Sequence, residues 1–310
     1  MKKLLLVAVS GFLATQLYGL PAYEPFADAT GSGGTSYTPG QPLAGAGPGV
    51  GGQTDAQGNS WYIAGPSSTT TVIQSGNLSI SGLPPSQGNS VLMTPANNSA
   101  ARFAFGASIN SGSLYYSFIL KVPDIGTTLG SGGGFVAGFN NTGAASQTTS
   151  PTVIGARTLL RSVGGGTGFN IGLSKSSSTV TDFQWASPTF TTTDTIFIVG
   201  AYDINVLGTQ GDDSSRMWVN PNSSDFGAGV APAATLTAST GNDMITSGSI
   251  QSFLLYGRPN TLFPNQMVVD ELRIGTSWAD VTSFVPEPAA VTLIGLGLSA
   301  LWGWRRARAR

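Results

Sequence analysis

Beyond Trp61 the chain is built from short runs in which every second residue is apolar, separated by clusters of Gly, Ser, Asn and Thr. A side-chain period of two is that of an extended strand with one face on a core, whereas a helical period of 3.6 carries such a stripe around all sides. The clearest run is Leu114 to Val122. Leu114, Tyr116, Phe118, Leu120 and Val122 fall on one face, Tyr115, Ser117, Ile119 and Lys121 on the other, and Pro123-Asp124 closes the run. The same reading gives strands at Thr71–Ile73, Leu78–Ile80, Ala101–Phe105, Gly134–Phe139, Thr152–Arg157, Phe169–Ser174, Thr195–Asp203, Arg216–Asn220, Ile250–Tyr256 and Met267–Ile274. Intervals such as SGLPPSQGNS and NPNSSDFGAG supply turns and positive φ. No fixed repeat period emerges, which disfavours a propeller or solenoid. The pattern predicts an all-β fold, an antiparallel two-sheet jelly-roll sandwich in one domain over residues 61–284.

The 310-residue chain contains neither cysteine nor histidine. Without disulfides, stability must come from the apolar core, and any metal site must use oxygen ligands. The missing histidine removes Ser-His-Asp and Cys-His chemistry, zinc-type catalytic sites and histidine pH switching together. From Tyr23 to Val285 there are eight Lys/Arg and fourteen Asp/Glu, a balance of minus six with no basic run. Nucleic acid, which is bound by neutralising many phosphates, is therefore not an expected partner, and neither is an anionic polymer held by charge alone. Residues 23–60 are rich in Gly, Ser, Thr and Pro. Gly47, Gly49 and Gly52 satisfy GxGxxG there, but without a flanking strand and helix they read as a loop.

Both ends carry a different signature. Met1, Lys2 and Lys3 form a basic start, Leu4 to Ala14 an apolar segment and Thr15 to Ala22 a more polar stretch, the layout of a signal peptide over residues 1–22 read by the Sec translocon and signal peptidase. At the other end, Pro286, Glu287 and Pro288 precede an apolar run from Ala289 to Trp304 and a tail holding Arg305, Arg306, Arg308 and Arg310. As a helix that run is roughly 24 Å long, marginal against a hydrocarbon core of about 30 Å. The arginines would keep the tail cytoplasmic and place everything before Pro286 outside, so the run reads as a transmembrane helix over 289–304.

The order Pro-Glu-Pro, short hydrophobic helix, Arg cluster over residues 285–310 resembles the PEP-CTERM sorting signal of exported bacterial proteins. The resemblance implies recognition by an exosortase-type transpeptidase and removal of the tail near Pro286 to Pro288. Tyr23-Glu24-Pro25-Phe26, Trp61, MWVNP at Met217–Pro221 and VVDELRIGTSWADVT at Val268–Thr282 are similar to parts of laminin-G and concanavalin-like domains. That resemblance implies a sandwich that binds glycans or proteins, and in some relatives a glycosidase.

Three constellations bear on chemistry. Hydrolases of the concanavalin type carry Glu-x-Asp-x-x-Glu on one strand, but here no acidic residue from Tyr23 to Val285 has another two positions away. Adjacent Asp270 and Glu271 should point to opposite faces, Glu271 beside Val269 and Arg273 as an exposed ion pair and Asp270 hydrogen-bonded at a strand edge. Asp203, Asn205, Asp212 and Asp213 frame the loop DINVLGTQGDD, and such oxygen ligands on a Gly-containing loop can hold Ca²⁺, although Leu207 breaks the EF-hand pattern and a solvated turn is the plainer reading. Trp218 and Trp278 sit in alternating runs and read as core, whereas Trp185, in the polar stretch TDFQWASPTF, is the candidate for stacking against a sugar ring.

The expectation is an exported protein, first anchored in the inner membrane and then placed at the cell surface or in the extracellular matrix, noncatalytic, needing no cofactor, with extracellular polysaccharide as its ligand. The alternatives are a carbohydrate-active enzyme with dispersed carboxylates and a purely structural surface protein.

Overall fold

The computed structural model describes residues 20–27, 37–45, 59–66, 70–205, 209–244 and 249–283. In chain order the strands are β1 (Ala22–Glu24), β2 (Ser60–Ala64), β3 (Thr71–Gln74), β4 (Ser90–Met93), β5 (Ser99–Ile109), β6 (Gly112–Asp124), β7 (Gly134–Asn140) and β8 (Ile154–Val163). They continue with β9 (Gly168–Ser174), β10 (Gln184–Trp185), β11 (Thr195–Ile204), β12 (Ser214–Val219), β13 (Leu236–Ala238), β14 (Ile250–Gly257) and β15 (Gln266–Gly275). One short helix, α1 (Trp278–Thr282), follows.

The strands form two antiparallel sheets. Sheet A runs β13-β12-β11-β6-β15-β4-β3, and β1 also pairs with β15, beyond the stretch that β4 uses. Sheet B runs β10-β9-β8-β7-β14-β5-β2. Thus β15 lies between β6 and β4, and β14 between β7 and β5, so the last two strands of the chain stand in the middle of the two sheets.

The alternation read from Leu114–Val122 holds: Leu114, Tyr116, Phe118, Leu120 and Val122 all enter the layer between the sheets. They meet Phe139, Leu160, Ile171 and Phe253 from sheet B, with the Tyr116 and Phe253 rings 4.9 Å apart. Tyr116 Oη also donates to the Ala156 carbonyl at 2.8 Å, a polar tie across the sandwich. The other face of β6 is not left to water. Tyr115 and Ile119 join Phe197, Val199, Trp218, Trp278 and Val281 in a second apolar layer on the outside of sheet A, roofed by α1 and by Phe226, Ala228 and Ala231. Trp218 and Trp278 therefore fill a core, as their positions suggested, but the outer one.

Ten of the eleven strand assignments coincide with strands. Leu78–Ile80 instead lies in a loop whose apolar side chains pack into the outer layer, so its alternation reflects burial without sheet pairing. In β15 the alternation breaks. Met267 and Val269 face the core, and so do Leu272 and Ile274, because a bulge between Asp270 and Arg273 inserts one extra residue with Glu271 at φ 55°. Glu271 and Arg273 thus do not share a face with Val269, and the expected exposed pair is buried. The helix α1, also unexpected, is opened by a capping box in which Ser277 and Asp280 bond each other's backbone N–H.

Ala22, the last residue of the predicted signal segment, is buried and paired with Ile274 in β1. Residues 1–19 of that segment, most of the Gly-rich stretch 23–60 and the predicted transmembrane helix 289–304 lie outside the described residues. Among the described residues no helix is long and apolar enough to cross a membrane.

Candidate functional site

The outer face of sheet B differs from that of sheet A in what covers it. Period-two alternation puts Tyr62 and Ala64 of β2, Arg102 of β5, Tyr256 of β14, Phe135 of β7, and Arg157, Leu159 and Arg161 of β8 on this side. Phe183 and Trp185 close it at the β9 edge. It is a face of aromatic rings and guanidinium groups.

Trp185 lies in β10, opposite Gly172 of β9. A Cβ at Gly172 would stand 2.5 Å from Trp185 Cε3, and one at Gly133 the same distance from Cη2, so the indole rests on backbone where only hydrogen fits. Phe183 meets it edge-on at 6.2 Å, and the Arg161 guanidinium carbon lies 4.4 Å from the ring centroid. Arg161 is itself held by Asn170 Oδ1, which accepts from Nε at 3.0 Å. The indole is half-buried. Beside Arg161 opens a cavity of about 400 Å³ lined by Thr127, Leu129, Ser131, Ser162, Val163, Gly164 and Gly165. A flat ring, a guanidinium and hydroxyl groups around a small groove are the elements that hold a saccharide.

Further along the same face two guanidinium groups meet the Phe135 ring, the carbons of Arg157 and Arg258 lying 4.7 and 4.3 Å from its centroid. Arg258 also stands 5.6 Å from the Tyr256 ring. Arg157 donates to the carbonyls of Ile154 and Ser177 and to Ser178 Oγ. Burial, with a smaller contribution from neighbouring Arg258, lowers the Arg157 pKa to about 10, and burial alone brings Arg102 to about 10. Sequence reading passed over this cluster, although Arg157 and Arg161 are four residues apart and must share a face of any strand.

The acidic loop assembles differently from the sequence expectation. Asp203 turns to Arg216, whose Nε and Nη2 donate to it at 2.6 Å each, and to the Ser113 hydroxyl at 2.5 Å. Asn205 donates its backbone N–H to Asp213 Oδ1 at 2.9 Å and its side-chain amide to the Asp212 carbonyl. Asp212 and Asp213 are instead joined by Asp243, one carboxylate oxygen from each of the three lying within 4.8 Å of the others. Sequence gave no hint of Asp243, which is thirty residues from Asp213. Lys175 Nζ donates to Asp243 Oδ1 at 2.8 Å, both side chains being sealed from solvent. An ammonium ion already stands where a cation would be drawn. Burial raises the Asp243 pKa, but Lys175 and the N–H groups of Gly211 and Asp213 outweigh it and hold the carboxyl below its ordinary value. Asp213 goes the other way, pushed up by burial.

Asp270 and Glu271, the adjacent carboxylates, are both engaged inside the protein. Asp270 Oδ2 accepts from Leu78 N–H at 2.6 Å and Oδ1 from Glu271 N–H at 2.8 Å, while burial pushes its pKa up to about 8. Glu271 accepts from Tyr23 Oη at 2.7 Å, Arg273 Nη2 at 2.8 Å and Gln87 N–H at 3.1 Å. Neither carboxylate is free to act on a substrate. Pro286, Glu287, Pro288, Arg305, Arg306, Arg308 and Arg310 lie outside the described residues.

Residues 284–308 match the PEP-CTERM protein-sorting motif. No curated protein matches the chain. Solved structures similar in shape include the conserved carbohydrate esterase vb_24B_21 from Shiga toxin-encoding bacteriophage phi24B, at 10% identity, 69% of this chain, 88% of that one and a TM-score of 0.38. The receptor binding domain of botulinum neurotoxin D is similar at 9% identity over 79% of this chain and half the length of that one, with a TM-score of 0.36. The metal-free Emp46p carbohydrate recognition domain is similar at 8% identity over 70% of this chain and 88% of that one, with a TM-score of 0.37.

Proposed function

We propose that this chain, which carries a PEP-CTERM sorting motif, is exported, processed at its tail by an exosortase-type enzyme and retained at the cell surface or in the matrix, where its sandwich binds polysaccharide without cleaving it. The observation that supports the binding role best is the half-buried Trp185 indole, laid on glycine backbone beside Arg161 and the hydroxyl-lined cavity. An aromatic plane held in place before the ligand arrives gives up little side-chain entropy on binding, and hydroxyl and guanidinium donors at its edge fix the orientation of a ring. The burial and internal hydrogen bonding of Asp270 and Glu271 support a noncatalytic role.

Glycan-array binding of the surface-released protein tests the reading. The expected result is retention of a polysaccharide ligand that Trp185→Ala weakens about tenfold or more, the value of a good aromatic contact, while a cooperative thermal transition is kept. Absence of any glycan ligand, or release of reducing sugar that Glu271→Gln abolishes, would overturn it.

A further inference from the structure

The face that carries Trp185 also indicates what class of saccharide it takes, an inference that rests on the polysaccharide-binding reading above. Of the eight lysines and arginines between Tyr23 and Val285, three form ion pairs: Lys175 with Asp243, Arg216 with Asp203, and Arg273 with Glu271. Four of the other five, Arg102, Arg157, Arg161 and Arg258, gather on the outer face of sheet B, where among the described residues none has a carboxylate within 4.0 Å. Asp182, on the rim, holds the Ser177 hydroxyl at 2.5 Å. The chain is thus acidic as a whole but keeps half of its exported cations together and uncompensated.

These guanidinium groups are positioned by rings. Arg258 makes no hydrogen bond through its guanidinium among the described residues, and its buried Nε is unpartnered. It packs over the Phe135 ring and beside the Tyr256 ring, whose centroids are 5.0 Å apart, with Arg157 on the same Phe135 ring. Two like charges sharing one ring repel, and burial away from water raises the cost of each. An arriving anion would remove that cost and could take the unused N–H fork of Arg258 in a bidentate hydrogen bond. Arg161, half-buried against Trp185, offers a second donor group where a sugar ring would stack.

We propose that the outer face of sheet B binds an acidic polysaccharide, its carboxylate or sulfate groups held by Arg258 and Arg161 in the field of Arg157 and Arg102, with a sugar ring on Trp185. The region as a whole is acidic, with fourteen Asp/Glu against eight Lys/Arg, and its other two arginines, Arg216 and Arg273, are already paired with carboxylates, so no second arginine cluster among the described residues competes for such a polymer. Nucleic acid is disfavoured because two accessible arginines neutralise too few phosphates.

The test measures binding of the full chain in detergent to three saccharides of equal length, a polyuronate, a sulfated glucan and a neutral glucan, with duplex DNA alongside. The expected result is about tenfold or greater preference for the polyuronate or the sulfated glucan over the neutral one, falling with salt. The affinities of the two anionic polymers identify the anion. Arg258→Gln should remove most of that preference and leave neutral-glucan affinity unchanged, Arg258→Lys should be intermediate, and Trp185→Ala should weaken all three saccharides. Equal affinity for acidic and neutral glycans, unaltered by Arg258→Gln, would overturn this inference and leave the polysaccharide reading intact. Failure of the native protein to bind any saccharide would overturn both, and DNA binding as tight as that of the acidic glycans and indifferent to Trp185→Ala would overturn the assignment of the ligand class.

Discussion

Lys175 and Asp243 form an ion pair with no solvent access, in contact with two further carboxylates. Removing one member of such a pair strands the other, so Lys175→Gln should destabilise the protein by about 3–5 kcal/mol in urea unfolding. Because the ammonium already sits among the carboxylates, millimolar Ca²⁺ or EDTA should leave the native melting temperature unchanged. In Lys175→Gln the three carboxylates lose their cation, and Ca²⁺ should raise the melting temperature. Asp270 supplies a second prediction at this scale. Its carboxyl is raised to about 8 in the folded state, so between the ordinary carboxylate range and pH 8 the native protein holds a proton that the unfolded chain has lost. Stability should therefore fall as pH rises through that window, by at most about 1.4 kcal/mol per pH unit, and level off above it. The chain has no histidine to titrate in the same interval, and the raised Asp213 acts with the same sign. Urea midpoints from pH 5 to 9 check this, and Asp270→Asn should flatten the profile. A slope that survives the substitution would assign the effect to another group.

Among the elements, β10 is two residues long and owes its position to Trp185 lying across its neighbours. Gly172→Ala would set a methyl 2.5 Å from the indole and 2.7 Å from the Gln184 carbonyl, so β10 must shift. The expected cost is about 1–3 kcal/mol, with a loss of glycan affinity comparable to that of Trp185→Ala, read by thermal melts and binding isotherms. The long strands β6, β11 and β14 were legible because each is an alternating or continuous apolar run rich in β-branched and aromatic residues and bounded by turn residues. The short β1, β2, β4, β10 and β13 were not, since two to five residues carry too few periods to stand out. Local alternation also could not foresee the bulge in β15, which a positive φ at Glu271 and the partners Tyr23 and Gln87 impose from distant sequence. At the candidate site Trp185 could be picked out by its polar surroundings, whereas Arg258, Phe135 and Asp243 become neighbours of the site residues only through sheet order and loop packing.

On the scale of the whole molecule the two outer faces are used differently. Sheet A is roofed by α1 and the loop before β13, and the chain leaves from that side at Ser283 toward the sorting motif. Sheet B, with Trp185 and Arg258, faces the opposite way. Intact-mass analysis of surface-released protein should find a C-terminus near Pro288, and replacing Arg305, Arg306, Arg308 and Arg310 by Gln should leave the tail uncut and the protein elsewhere in the cell. Identical compartments and masses for both forms would reject the sorting mechanism.

The placement of β14 and β15 has a kinetic corollary. Any route that delivers the polypeptide amino end first brings out β6, β7, β11 and their partners while the slots between β7 and β5, and between β6 and β4, stand empty. Until the final sixty-odd residues have emerged, each layer exists as two halves with open edges, prone to wrong pairing and dependent on whatever holdase guards the exit. Closure thus waits for the stretch just ahead of the sorting motif, so a stall late in delivery would be far more damaging than one early on, and truncation before Ile250 should leave a chain without cooperative unfolding.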